Sequence, residues 1–114
     1  MLRELFAEGL AATSPDFEFV RRHQPLVGIP GERAYRRAVS PDVVQWLVLV
    51  PDAKREAFFL EVGWSRCGRF PQQTMRPSFV REAARDRVAP RVDEALAMWL
   101  ELGRPFLERH TGGA

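Results

Sequence analysis

A chain of 114 residues, 46% of them hydrophobic, is long enough to bury a core of its own, so neither a structural metal nor a disulfide is required to hold it together. One cysteine excludes an intramolecular disulfide, and one cysteine with two histidines cannot complete a zinc-finger ligand set. Seventeen basic against fifteen acidic residues leave a net charge of +2, too small to argue for nucleic acid on charge alone, and the near-total use of arginine is what a GC-rich genome would also produce.

In chain order, Leu2, Leu5, Phe6 and Leu10 recur at helical spacing, which predicts an amphipathic helix over residues 2 to about 12, ended by Thr13, Ser14 and Pro15. Glu4 and Glu8 interrupt what would have to be the apolar centre of a signal peptide, and no run reaches the roughly 18 uncharged apolar residues of a membrane span. The expected setting is therefore the cytoplasm, with no membrane contact. The run DFEFVRR alternates but fits either a short strand or an irregular packed segment, and it is left unassigned. QPLVGIPG, with two prolines and two glycines, reads as a loop.

The middle of the chain carries the strongest pattern. RAYRRAV (33–39), VVQWLVLV (43–50) and EAFFLEVGW (56–64) are strand-like runs separated by short breaks, which predicts a three-stranded antiparallel meander. The second run is apolar on both faces, broken only by Gln45, and so belongs at the centre of a sheet. In the third, Phe58, Leu60, Val62 and Trp64 share a core face while Ala57, Phe59, Glu61 and Gly63 share a wetter one.

After Pro71, PQQTMRPS reads as a polar connector. Phe79, Ala83 and Val88 suit a helix starting near Ser78; Ala89-Pro90 then marks a boundary, with Pro90 as the first residue of a second helix striped by Val92, Leu96, Trp99, Leu102 and Phe106. Gly103 and Pro105 are expected to kink or stop it. The whole is an α+β domain over residues 1–110, an N-terminal helix, the meander and two C-terminal helices packed on the sheet, with residues 111–114 a flexible tail. Trp46, Trp64 and Trp99 are expected to share its core, each removing roughly 150–250 Å² from water.

The candidate chemistry is sparse. Cys67, between Arg66 and Arg69, would need a low pKa and a nearby base to act as a nucleophile. The phosphatase loop requires an arginine six residues on, and position 73 is Gln73. The reading adopted is that Gly63, Gly68 and Pro71 turn the chain out of the sheet there. GIPGER lacks the lysine and hydroxyl residue of a P-loop, and no serine stands in a Gly-x-Ser-x-Gly elbow. Glu82 and Asp86, four apart, are surrounded by Arg81, Arg85 and Arg87 and read as a solvated charged face. No catalytic residue, metal ligand or cofactor is therefore assigned.

Binding is read instead at the exit of the third strand, where Trp64, Arg66, Arg69 and Phe70 supply the aromatic and guanidinium groups that protein interfaces favour. Arg21, Arg22, His23, Arg33, Arg36 and Arg37 are the densest basic set, and with Phe19 and Tyr35 they would make a nucleic-acid surface if they shared a face. Neighbours on a strand point to opposite sides, so Arg36 and Arg37 cannot, and nucleic acid is not the expected partner.

The order of an N-terminal helix, RAYRRAV, the glutamine-bearing VVQWLVLV and AFFLEVGWS resembles a family of small bacterial domains of unknown function. In that family an aromatic-and-arginine strand precedes one carrying Val-Val-Gln, and a third ends at a glycine. The resemblance covers about residues 1 to 70. It implies an α+β domain and, as for some members of such families, a role in neutralising toxins; it brings no catalytic residues. The first expectation is thus a non-enzymatic interaction domain, an immunity or adaptor protein. The alternatives are a ligand-binding domain or enzyme with its pocket between sheet and helices, and a nucleic-acid-binding protein.

Overall fold

The computed structural model describes residues 2–21, 26, 28, 30–52, 54, 57–66, 75–82 and 88–110. The amphipathic N-terminal segment forms helix α1 (Leu2–Thr13), which buries Phe6 and Leu10. Ser14 still donates its N–H to the Leu10 carbonyl, but Pro15 has no N–H to continue the ladder, and the chain turns, with Phe17 N–H returning to the Ser14 carbonyl.

Five strands follow in an antiparallel sheet of order β1-β2-β3-β4-β5: β1 (Glu18–Val20), β2 (Arg33–Ser40), β3 (Val43–Asp52), β4 (Ala57–Arg66) and β5 (Met75–Glu82). The central position expected of 43–50 is observed, and all eight residues are buried. β3 and β4 pair over their full length, from Val43 opposite Arg66 to Asp52 opposite Ala57.

Two strands exceed the meander read from sequence. The unassigned run supplies β1, three residues paired with Ala34–Arg36. The segment read as connector and helix start supplies β5, where Phe79 stands opposite Leu60 and Val80 opposite Phe59. Pairing there satisfies the outer backbone groups of β4, which a helix at the same place would leave as an open edge. Pro77 is tolerated because β5 is itself at the margin. The proposed helix from Ser78 is thereby corrected as far as Glu82; Asp86 and the tail 111–114 lie outside the described residues.

The second expected helix begins at Val88, two residues before Pro90, and is one helical run in three parts. α2 (Val88–Met98) passes through a π-helical turn (Trp99–Gly103) into α3 (Arg104–His110). Pro90 sits in the first turn, where no intrahelical bond is owed by its nitrogen. Pro105 neither stops nor breaks the run, because the turn before it widens and Arg104 N–H reaches back five residues to the Trp99 carbonyl. A proline ring collides with the carbonyl four residues earlier in an ordinary helix, and the wider turn gives it room.

The helices cover one face of the sheet. Phe6 and Leu10 of α1, with Val92, Leu96, Trp99 and Leu107 from the C-terminal run, close on Tyr35, Leu47, Leu49, Phe58, Leu60 and Val62. α1 and α2 approach closely at Gly9, where even a methyl group would collide with the Leu96 side chain. On the opposite face Ala34, Val44, Trp46, Val48 and Val50 form a second buried cluster.

The three tryptophans therefore do not share a core. Trp64 pairs with Gln45, which places it on the helix side, whereas Trp46 stands opposite Gly63 on the other face. There its indole N–H donates to the buried Ser65 hydroxyl at 3.1 Å. Trp99 is fully buried beneath the helices and donates to the Ser14 hydroxyl at 3.0 Å.

Candidate functional site

The described residues gather unusual chemistry along the margin formed by β1 and β2. Alternation sends Phe17, Phe19 and Arg21 to the helix-covered side and Glu18 and Val20 to the other. Phe17 is buried, but Phe19, one strand turn further along a three-residue strand at the edge, remains 46% exposed.

Phe19 rests on its cross-strand neighbour Tyr35, ring centroids 5.6 Å apart, and Tyr35 rests in turn on Phe6 of α1 at 5.7 Å. The Arg33 guanidinium lies over the Phe19 ring at 4.9 Å. The Tyr35 hydroxyl is buried without a hydrogen-bond partner; burial pushes its pKa up, and the nearby Arg33 charge opposes that push.

Between α1 and this edge is an open hollow of about 230 Å³, lined by Arg3, Phe19, Arg21, Gly31, Glu32 and Arg33 among others. Gly31 has φ +89°, and a Cβ there would stand 3.3 Å from the Arg3 Nη2 atom and 3.2 Å from Pro51, so glycine serves both the left-handed backbone and the close approach of Arg3. The Glu32 carboxylate accepts the Leu26 N–H at 3.0 Å and the Gly28 N–H at 2.8 Å, which fixes the loop and partly offsets its charge. Three arginines and Glu32 thus line one hollow. Arginine exchanges no protons near neutrality, so what the arginines offer at such a site is the binding of an anion.

A second charged cluster lies further along the margin. Asp16 accepts two bonds from Arg104, Nη1 at 3.0 Å and Nη2 at 2.7 Å, and one from Arg37 Nη1 at 2.8 Å. Both guanidiniums lie over the Phe17 ring, at 5.4 and 5.5 Å, and Phe17 meets Trp99 edge-on at 5.0 Å. Arg37 also donates from Nε to Gln45 at 2.9 Å, which gives the buried polar residue of the central strand a partner. These bonds fasten the α1–β1 turn to β2, β3 and α3.

The hydrogen bonds from Arg104, then those from Arg37, hold the Asp16 carboxyl well below the ordinary carboxylate range. A depressed folded-state pKa contributes stability that is present above the unfolded-state value of about 3.9 and is lost as pH falls further. Asp16→Asn should therefore unfold less steeply with acid than the native chain between about pH 4 and pH 2 while being less stable near neutrality. Urea denaturation across that range checks both; an unchanged acid limb would show that the clamp contributes nothing. An open groove of about 640 Å³ runs beside the clamp, lined by Asp16, Glu18, Arg36, Arg37 and Val44.

Of the residues read from sequence as a binding site, Trp64 is half-buried and packed against the helix-covered core. Arg66 is the last residue of β4, paired through its backbone with Val43. Arg69, Phe70 and Cys67 lie outside the described residues. The basic set divides along β2: Arg21 and Arg33 line the hollow, while Arg36 and Arg37 both line the groove, although alternation was expected to keep these two neighbours apart. Arg22 and His23 lie outside the described residues.

Sequence reasoning had no means of finding Arg3 in the hollow, because only the packing of α1 brings it to β2. Among the described residues, no group of three or more His, Cys, Asp or Glu is placed to hold a metal ion, and no helix is long and apolar enough to cross a membrane. In comparisons with known proteins, no family model, no curated protein and no solved structure matches this chain. The class that can be stated is structural: an α+β domain with an antiparallel sheet covered on one face by helices.

Proposed function

We propose that this chain is a non-enzymatic protein-interaction domain, an immunity or adaptor protein of a bacterial cytoplasm, whose partner docks along the β1–β2 margin. The observation that carries the reading is Phe19, a large aromatic left 46% exposed on the edge strand, stacked on Tyr35 and in a hollow lined by arginines. Aromatic and arginine side chains are the groups that protein interfaces concentrate, and a ring already held by a buried neighbour loses little freedom on binding. Val39, 50% exposed at a bulge in β2, is a further exposed apolar side chain beyond the three residues that β1 covers. The exit of β4, with Arg66, Arg69 and Phe70, is a second candidate contact for the same partner.

The chain, immobilised and exposed to an extract of its source cells, should retain proteins that the Phe19→Ser variant does not. Leu100→Ser, altering an exposed leucine on the π-helical turn, should retain them. Trp64→Ala and Arg66→Ala extend the comparison to the β4 exit. Equal recovery by the native chain and Phe19→Ser, with both shown folded by melting, would contradict docking at this margin.

A further inference from the structure

We infer that the hollow bounded by Arg3, Arg21 and Arg33 is a carboxylate-binding site that receives an acidic segment of the partner protein, an inference that rests on the proposed interaction role. Three arginines from separate places, α1, the residue after β1 and the start of β2, line one hollow. Like charges do not gather without cost; among the described residues Glu32, which lines the same hollow, already accepts two backbone N–H groups, and Glu4 of α1 also feels the Arg33 charge. The planar guanidinium fork binds a carboxylate through paired hydrogen bonds, and Arg33 is oriented for this because its position over the Phe19 ring restrains it.

The chemistry favours an acidic protein segment over nucleic acid. A strand of nucleic acid needs a continuous track of positive charge and open aromatic faces for its bases. Here the face of Phe19 is taken by Arg33, and Glu18 and Asp16 break the positive charge a short way along the margin. A hollow of about 230 Å³ fits one or two carboxylate side chains.

The test uses the full isotope-labelled chain and a hexaglutamate peptide, read by amide chemical shifts, with hexaglutamine and an oligothymidylate as comparison probes. Hexaglutamate at low salt should move the Phe19, Gly31 and Arg33 signals, salt should weaken it, and hexaglutamine should move none of them. Arg21→Gln and Arg33→Gln should each weaken hexaglutamate about tenfold, Arg21→Gln being the safer variant because its side chain is exposed. Absence of those shifts, equal binding by the variants, or tighter binding of oligothymidylate at the same signals would each overturn the inference. This titration needs no natural partner. Partner capture that depends on Phe19 but not on Arg21 or Arg33 would leave the interaction role standing while the carboxylate site failed.

Discussion

Replacing Trp99 by alanine will lower the free energy of unfolding by about 3–5 kcal/mol, which for a domain of this size moves the melting midpoint down by roughly 10–20 °C. Trp99 is fully buried, and three separate interactions end on it: the packing beneath the helices, the edge-on contact with Phe17 at 5.0 Å and the bond to the Ser14 hydroxyl at 3.0 Å. Truncation leaves a cavity that the π-helical turn cannot collapse into without losing its own backbone pairing, and it leaves the buried Ser14 hydroxyl without that donor. Trp99→Phe keeps most of the ring and loses only the hydrogen bond, so its cost should be smaller, about 1–3 kcal/mol. Equal losses for the two variants would mean that the indole N–H, not the packing, dominates this junction. Urea denaturation of both distinguishes these outcomes.

An aspartate at either Leu47 or Val48 will abolish cooperative folding. The two residues are neighbours, face opposite sides of β3 and are each 0% exposed, one in the helix-covered core and the other in the second cluster. A carboxylate buried without a partner costs several kcal/mol, comparable to the whole stability of about 5–15 kcal/mol that a small domain has in hand. The paired result matters more than either alone, because a strand with only one buried face would accept a charge on the other. Val39→Asp, on an exposed position of β2, should change stability by no more than about 0.5 kcal/mol. Circular dichroism melts of the three variants check this, and a normal transition for either Leu47→Asp or Val48→Asp would show that its face of β3 is solvated.

The central strand was legible because its signal is local: eight successive residues, seven of them apolar, leave no face for water. β4 was legible through its alternation, and α1 through its spacing. β5 was not, because MRPSFVRE has too few apolar residues to fix a period and is held by pairing with residues some twenty positions earlier. The Asp16 clamp was invisible for the same reason, since it joins residues 21 and 88 positions apart.

The tryptophans show a subtler limit. Composition suggests one shared core for all three, but the antiparallel register decides that Trp46 and Trp64 fall on opposite faces. At the margin, the arginines and Phe19 were noticed as a set. Their division between the hollow and the groove follows position along β2, with Arg33 at its start and Arg36 and Arg37 further on, and the arrival of Arg3 depends on helix packing that no spacing in the sequence encodes.

Amide hydrogen exchange on the native chain tests most directly whether this is a sheet with β3 at its centre and β1 as its accessible margin. Val43–Val50 should exchange in the slowest class, at the rate set by global unfolding, while Glu18–Val20 exchange through local opening that is orders of magnitude more frequent. Rapid exchange across Val43–Val50, or protection of Glu18–Val20 equal to that of β3, would contradict the architecture on which the proposed docking margin rests.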